Sequence, residues 1–390
     1  MRRILSEPRE NWKQQAQSLG FKFHTIEGEK YWDESAYYRF SLQQIENDLE
    51  TPTEEIHQMC LQLVDKAVRS EEIMTRLRIP EQYWDYVQQS WANADPHLYG
   101  RMDFAYNGNG PAKFFEYNAD TPTSLYESAF FQWLWLEEMV ATGRLPAETD
   151  QFNIIQEMLI EALVLLKQKH VGNEPLYFAS CKDTDEDYGT VEYFRDCATQ
   201  AGLDTKFIFV EDIGLSPKGE FTDLQDMTIP ALFKLYPWEF MFEEEFGPSI
   251  EGSETLFVEP AWKSILSNKA ILPLLWQEFP GHPNLLPSYF EKGKIGDDLG
   301  QHYVKKPVFS REGSNISVIK NGQQTDFVDG PYDDSGYILQ SFHPVPSFSG
   351  NYTLIGSWVV GDRSAGIGIR EDSSVITKDS SRFLPHIILD

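Results

Sequence analysis

Apolar residues recur every third or fourth position over 53–68, where Ile56, Met59, Cys60, Leu63, Val64 and Val68 share one helical face. Thr53, Glu54 and Glu55 suit the first turn of that helix. The same period runs through SLYESAFFQWLWLEEMV at 124–140 and NIIQEMLIEALVLLKQKH at 153–170, and the dense aromatics of the first read as core packing. Between 176 and 236 the period changes repeatedly. LYFASC, TKFIFVEDI and IPALFKLY read as strands and TVEYFRDCATQAG as a helix, the signature of an α/β layer. LSPKGEFTD and FEEEFGPSIEGSE read as loops from their Gly, Pro and charge content.

One alternation carries chemistry. FFEYNADTPTS at 114–124 puts Glu116, Asn118 and Asp120 at every second position, and alternate residues of a strand share a face. LYGRMDFAY at 98–106 does the same with Arg101 and Asp103, and the intervening NGNGP favours a hairpin that gathers Arg101, Asp103, Glu116 and Asn118. Carboxylate and amide oxygens beside phosphate oxygens are what magnesium prefers. A solvated polar face on an amphipathic hairpin is the alternative reading, and from periodicity alone it is the more common one.

Other segments offer partners for an anion. HYVKKPVFSREGSNISVI at 302–319 is a strand with Lys305 and Lys306 leading to a loop with Arg311, Gly313, Ser314 and Asn315, able to hold polyphosphate or to be a plain basic turn. It is not a Walker A loop. EPAWKSILSNKAILPLLW at 259–276 reads by default as a helix with Lys263 and Lys269 on its surface. GYILQSFHPVP at 336–346 is a strand entering a proline-rich connection, and AGIGIREDSSVITKDSSRF at 365–383 sets Arg370, Glu371 and Asp372 at a strand end. CKDTDEDYG stacks acids after a strand, where α/β proteins often bind ligands, although acid runs are usually only solvated. His57 and Cys60 lie one helical turn apart, and a packed thiol beside a rim histidine explains them better than a nucleophile does.

Charge narrows the classes. The 390 residues carry 33 basic and 61 acidic side chains, a formal charge of -28, which argues against nonspecific binding to nucleic acid or an anionic membrane. Three dispersed cysteines support neither a disulfide framework nor a zinc site and fit a reducing cytoplasm. MRRILSEPRENWKQQ has no apolar core of a secretory signal, and AILPLLW is far short of a membrane span. A soluble cytoplasmic protein is the expectation.

In order, RMDF, FEYNADT, KDTDEDY, SNKAILPLLW, KKPVFSREGSNI, ILQSFHPVP and GIREDSSVITKD resemble the synthetase domain of bacterial glutathionylspermidine synthases, which are ATP-grasp ligases. The resemblance covers nearly the whole chain, without the family's amidase domain. It implies an α/β (α+β) ATP-grasp fold with a helical N-terminal region, as a single unit over 1–390. Its approximate lobes would be 1–97, helical; 98–258, holding metal and the acid and amine substrates; and 259–390, binding ATP. By the same resemblance Asp103, Glu116 and Asn118 hold magnesium, as two ions, with Asp120 supporting them. Lys269, Lys306 and the mobile-loop Arg311 meet ATP phosphates, and Gln340, Ser341, Phe342 and His343 meet adenine. Arg101, Thr121, Asp185, Glu186 and Arg370 contact the peptide or amine.

The sequence departs from the family pattern at Arg382, where an acid helps hold the polyamine, and at Lys234-Leu235-Tyr236, which lacks a threonine. A cation where a polycation should bind is unfavourable and argues against spermidine. The resemblance implies an ADP-forming carboxylate–amine ligase that works through an acyl phosphate, with small-molecule acid and amine substrates and no nucleophilic side chain. The alternatives are an Mg-ATP-binding regulator of the same fold without activity, which Arg382 keeps open, and an α/β protein whose motifs are all structural.

Overall fold

The alternating segments at 98–118 form the antiparallel strands Tyr99–Ala105 and Lys113–Asn118 in the computed structural model of the chain, which describes residues 1–26, 28–311, 313–332, 335–376 and 381–390. Tyr99–Ala105 is buried along its whole length because a second long strand, Asn351–Val360, pairs with its other edge. Arg363–Asp372 and Arg382–Leu384 continue that sheet outward. The helices Thr51–Ala67 and Ile155–Leu166 both pack on its long strands, and this double cover explains why those strands read as near-continuous apolar runs.

A four-stranded parallel sheet orders Leu256–Val258, Ala231–Lys234, Leu176–Ser180 and Thr205–Phe209, with helix Asp185–Gln200 packed on it. A third, antiparallel sheet orders Ser288–Phe290, Tyr337–Ser341, His302–Pro307, Ser317–Lys320 and Gln323–Phe327, against helix Ile271–Glu278. The helical N-terminal region occupies the stretch that includes Thr51–Ala67, Glu71–Arg76 and Trp84–Ala92, after a strand-rich start in which Arg2–Leu5 and His386–Ile388 flank Ala36–Phe40. The segments outlined in the sequence interleave, since the central sheet joins 99–118 to 347–384. Among the described residues no helix is long and apolar enough to cross a membrane.

Two local readings are corrected. LSPKGEFTD is not all loop, because Gly214–Leu215 pairs with Phe221–Thr222. The 259–276 segment is a tight turn, Ala261–Ile265, followed by a helix only from Ile271, and its lysines are inside. Lys263 is buried against Glu259, whose other oxygen accepts from Leu98 N at 2.9 Å and Tyr99 N at 3.2 Å. That pair braces the start of the central strand. His57 and Cys60 are both buried; His57 contacts the Tyr117 hydroxyl at 3.1 Å and Asp362 at 3.0 Å, and burial pushes the Cys60 thiol up, out of reach of nucleophilic chemistry.

His386 makes the core pH-sensitive. Phe152 N–H donates to its Nε2 at 3.2 Å, so the ring proton sits on Nδ1 and donates to Gln132 Oε1 at 2.9 Å. Burial of this neutral ring pushes its pKa down to about 3. The folded value lies below the unfolded one, so the contribution is complete above about pH 6.5 and is lost as pH falls toward 3. Urea unfolding should show wild type losing about 2 kcal/mol more than His386→Gln between about pH 7 and about pH 5. Parallel losses in the two proteins would refute it.

Candidate active site

Hairpin register sets the site. Arg101 lies opposite Asn118 and Asp103 opposite Glu116, so the four side chains project from one face. Arg101 Nε reaches Asp103 Oδ1 at 2.8 Å, and its Nη1 meets both Thr123 O at 2.8 Å and Ser124 Oγ at 3.1 Å. The neighbouring strand makes room for that guanidinium stem at Gly356, opposite Asp103, where a Cβ would come within 2.7 Å of Arg101 Cδ. Arg370, from Arg363–Asp372, takes the second oxygen of Asp103.

Lys269 faces Glu116 at 3.0 Å and is fixed by Ser310 O at 2.8 Å. Lys306 enters from the third sheet, bound to Gln340 Oε1 at 2.7 Å and Phe115 O at 3.1 Å. Burial alone would raise the proton affinity of Glu116, but Lys269 and Lys306 outweigh it and hold the carboxyl well below the usual range. Burial, with Lys269 nearby, pushes Lys306 down to about 8. Two lysines thus crowd one carboxylate, a arrangement that favours additional negative charge. Arg311 bridges Thr121 Oγ1 at 2.7 Å and Glu239 Oε1 at 2.8 Å.

These groups open on a cavity of about 350 Å³. Arg101, Asp103, Glu116, Asn118, Thr121, Lys306, Arg311, Gln340, Ser341, Phe342, His343 and Arg370 all line it, and Lys269 lines a small recess beside Glu116, Asn118 and Arg311. Glu186 also lines the cavity, and it accepts from the Tyr31 hydroxyl at 2.9 Å. Asp185 does not line the cavity, and Asp187 does. Successive acids in a helical first turn point in different directions, so the run could not show which of them face inward.

Arg382 also lies outside the lining. Its guanidinium turns to Glu371 at 2.9 Å, a buried carboxylate that Arg3 also holds at 2.6 Å, so the repulsion read from the sequence is spent on an ion pair. Residues 377–380 of that motif, and Glu312 of the Arg311 loop, lie outside the described residues.

Sequence reasoning missed Glu239 and Tyr31, and it named Lys234 only within the departing Lys234-Leu235-Tyr236 stretch, without a role. Lys234 makes a buried ion pair with Asp120 at 2.5 Å, while the other Asp120 oxygen accepts from Trp238 N at 2.9 Å. This ties the turn after Asn118 to the parallel sheet. The lysine inside an otherwise apolar strand, IPALFKLY, was the available signal.

The donor set fits magnesium. Among the described residues no three His, Cys, Asp or Glu side chains converge as a self-sufficient metal cage, as expected for an ion that draws ligands from phosphate. Asn118 supports the fit: its amide nitrogen is buried with no acceptor, and reversing the amide would present its oxygen instead.

The glutathionylspermidine synthase preATP-grasp model matches residues 3–389. The chain belongs to that family. Its relatives include a Haemophilus influenzae protein named "Putative acid--amine ligase", 40% identical over 99% of both chains. The Escherichia coli bifunctional glutathionylspermidine synthetase/amidase is 27% identical over 97% of this chain, and the Crithidia fasciculata trypanothione synthetase 26% over 84%. The chain spans 63% and 53% of the lengths of those two relatives. A glutathione-synthetase-like effector from Globodera pallida superposes with a TM-score of 0.55 over 90% of this chain and 89% of that one, at 12% identity, a likeness of fold. The family's ATP-grasp architecture therefore frames the cavity.

Proposed function

We propose that this protein is an ATP-dependent, ADP-forming carboxylate–amine ligase that joins a glutathione-like peptide or other small acid to an amine through an acyl phosphate. The observation that carries the reading is the charge gathered in one cavity. Lys306, Arg311 and the Asp103–Glu116–Asn118 face line it together with Glu186 and Asp187, and Lys269 lines the recess beside Glu116. Family membership and the names of the relatives support it.

Phosphoryl transfer needs alignment and charge stabilisation rather than a nucleophilic side chain. Lys306 and Lys269 would take phosphate oxygens, and Arg311 would follow once nucleotide competes with Thr121 and Glu239. Asp103, Glu116 and Asn118 would hold magnesium, which neutralises phosphate charge. Ser341 and Phe342 already donate their backbone N–H groups to Pro287 and His302, so an adenine edge would use their carbonyls or the His343 N–H. Arg101, Arg370 and Thr121 would orient the acid, whose carboxylate attacks the γ-phosphoryl group. An amine held at Glu186 and Asp187, after giving up its ammonium proton to solvent, would then attack the acyl carbon; phosphate departs with the C–O electron pair and takes up the proton that the new amide nitrogen sheds.

The test is Mg-dependent ADP release against glutathione and related peptides, each with and without diamines, polyamines and amino acids, with products weighed by mass spectrometry. ADP release coupled to a new amide mass is expected. Tight Mg-ATP binding without turnover across the panel would replace this reading with the regulator.

A further inference from the structure

Glu127 stands behind the acidic wall with its charge unanswered. It is 1% exposed, at the start of the π-type turn Glu127–Phe131, and neither carboxyl oxygen has a hydrogen-bond partner to match its burial. Three groups face it from the elements packed around it: Tyr31, Glu186 of the Asp185–Gln200 helix, and Arg101 of the central strand. Arg101 is already committed to Asp103, Thr123 and Ser124. The Tyr31 hydroxyl lies beside both carboxyl groups, but it has one proton, and that proton goes to Glu186 at 2.9 Å.

An ionised carboxylate buried without a donor is costly, and a protonated one is not. Burial first, and then the charge of Glu186, push the Glu127 carboxyl well above the ordinary range, against weaker pulls from its own backbone N–H, Tyr31 and Arg101. A neutral Glu127 completes the hydrogen bonding. Its O–H can donate to the Tyr31 oxygen while the Tyr31 O–H donates to Glu186, giving every member of the chain a partner.

We propose that Glu127 is a positioning residue for the amine: a neutral carboxylic acid that acts through Tyr31, so that Glu186 alone of the two glutamates meets an incoming ammonium as an anion. The proposal rests on the ligase reading for the identity of the ligand. The protonation of Glu127 itself needs neither nucleotide nor turnover. Tyr31 and Glu186 line the cavity and Glu127 does not, so its influence passes through them. Once Glu127 ionises, the relay loses its donor and the amine end gains a second negative charge.

Infrared spectroscopy of the full chain carrying ¹³C-carboxyl glutamate tests the first part. At about pH 7, far above the ordinary glutamate range, a protonated-carboxyl carbonyl band is expected in wild type and absent in Glu127→Gln. No difference between the two spectra overturns the proposal. Calorimetric titration with 1,4-diaminobutane tests the second part, comparing wild type with Glu127→Gln so that titration of the amine cancels. The ratio of their affinities should change by about fivefold between about pH 6 and about pH 9, as Glu127 gains its charge. A ratio that does not move with pH, or no diamine binding to wild type at either pH, overturns it.

Glu127→Ala should weaken diamine binding at both pH values, and Glu127→Gln, which keeps a donor for Tyr31, should restore most of that loss. Should Glu127→Gln fail to fold, Glu186→Gln carries the same test. Removing the neighbouring charge should move the titration of the carboxyl band to lower pH, and a band that stays in place overturns the proposal. Failure of ADP release would sink the ligase reading and leave the infrared result standing, so the two are separable.

Discussion

Lys306→Ala should lower ADP release by about 10²–10³-fold at saturating acid and amine, the scale on which removal of one preorganised charge donor acts. The nitrogen of Lys306 is held by Gln340 Oε1 and Phe115 O, at the junction between the third sheet and the hairpin. It also shares Glu116 electrostatically with Lys269. Its removal withdraws positive charge from the phosphate end and leaves two acceptors without a donor, a stability cost of about 1–3 kcal/mol that urea unfolding would measure separately. Turnover within a few-fold of wild type, with the fold intact, would remove Lys306 from the phosphate site.

A pH dependence accompanies it. The lysine must be charged to attract phosphate, and burial lowers its pKa to about 8. The sign is therefore a fall in kcat/KM for ATP as pH rises through about 8, reported by the free enzyme. A flat profile to higher pH would show that another cation governs nucleotide capture.

The second large effect is structural. Burial dominates both members of the Lys234–Asp120 pair, pushing Lys234 down and Asp120 up, so desolvation opposes the ionised forms despite their 2.5 Å contact. Breaking such a pair leaves one buried group uncompensated. Lys234→Met should cost about 3–5 kcal/mol, with the lower end expected because Asp120 can escape by taking up a proton. Adding Asp120→Asn, which removes the orphaned charge and still accepts from Trp238 N–H, should recover a large part of that loss. A single-mutant cost below about 1 kcal/mol in urea unfolding would show that the pair does not secure the turn after Asn118.

The hairpin was legible because its information is local. A two-residue period, a turn-rich connection and four oxygen- or nitrogen-bearing side chains on one face lie within residues 98–118. The family motifs made the rest of the cavity wall legible as an ordered set. What escaped depends on distant partners. Lys263 and Lys269 sit in a stretch that reads as a surface helix, and only the folded chain brings Tyr99 O and Glu116 to their nitrogens. Which of Asp185, Glu186 and Asp187 face inward is decided by the angle at which their helix meets the cavity, and Glu186 and Asp187 do. The side-chain direction of Arg382 is decided by Glu371, which a linear reading sees only as a neighbouring strand-end charge.

Arg101 and Arg370 neutralise Asp103, and Lys269 neutralises Glu116. A divalent ion arriving by itself would have to evict these cations and leave them unmatched. Under the proposed assignment, an ion arriving with nucleotide would bring phosphates that can receive them, and the two would bind as one thermodynamic unit. A site organised in this way would fill according to nucleotide supply and be buffered against swings in free divalent cation.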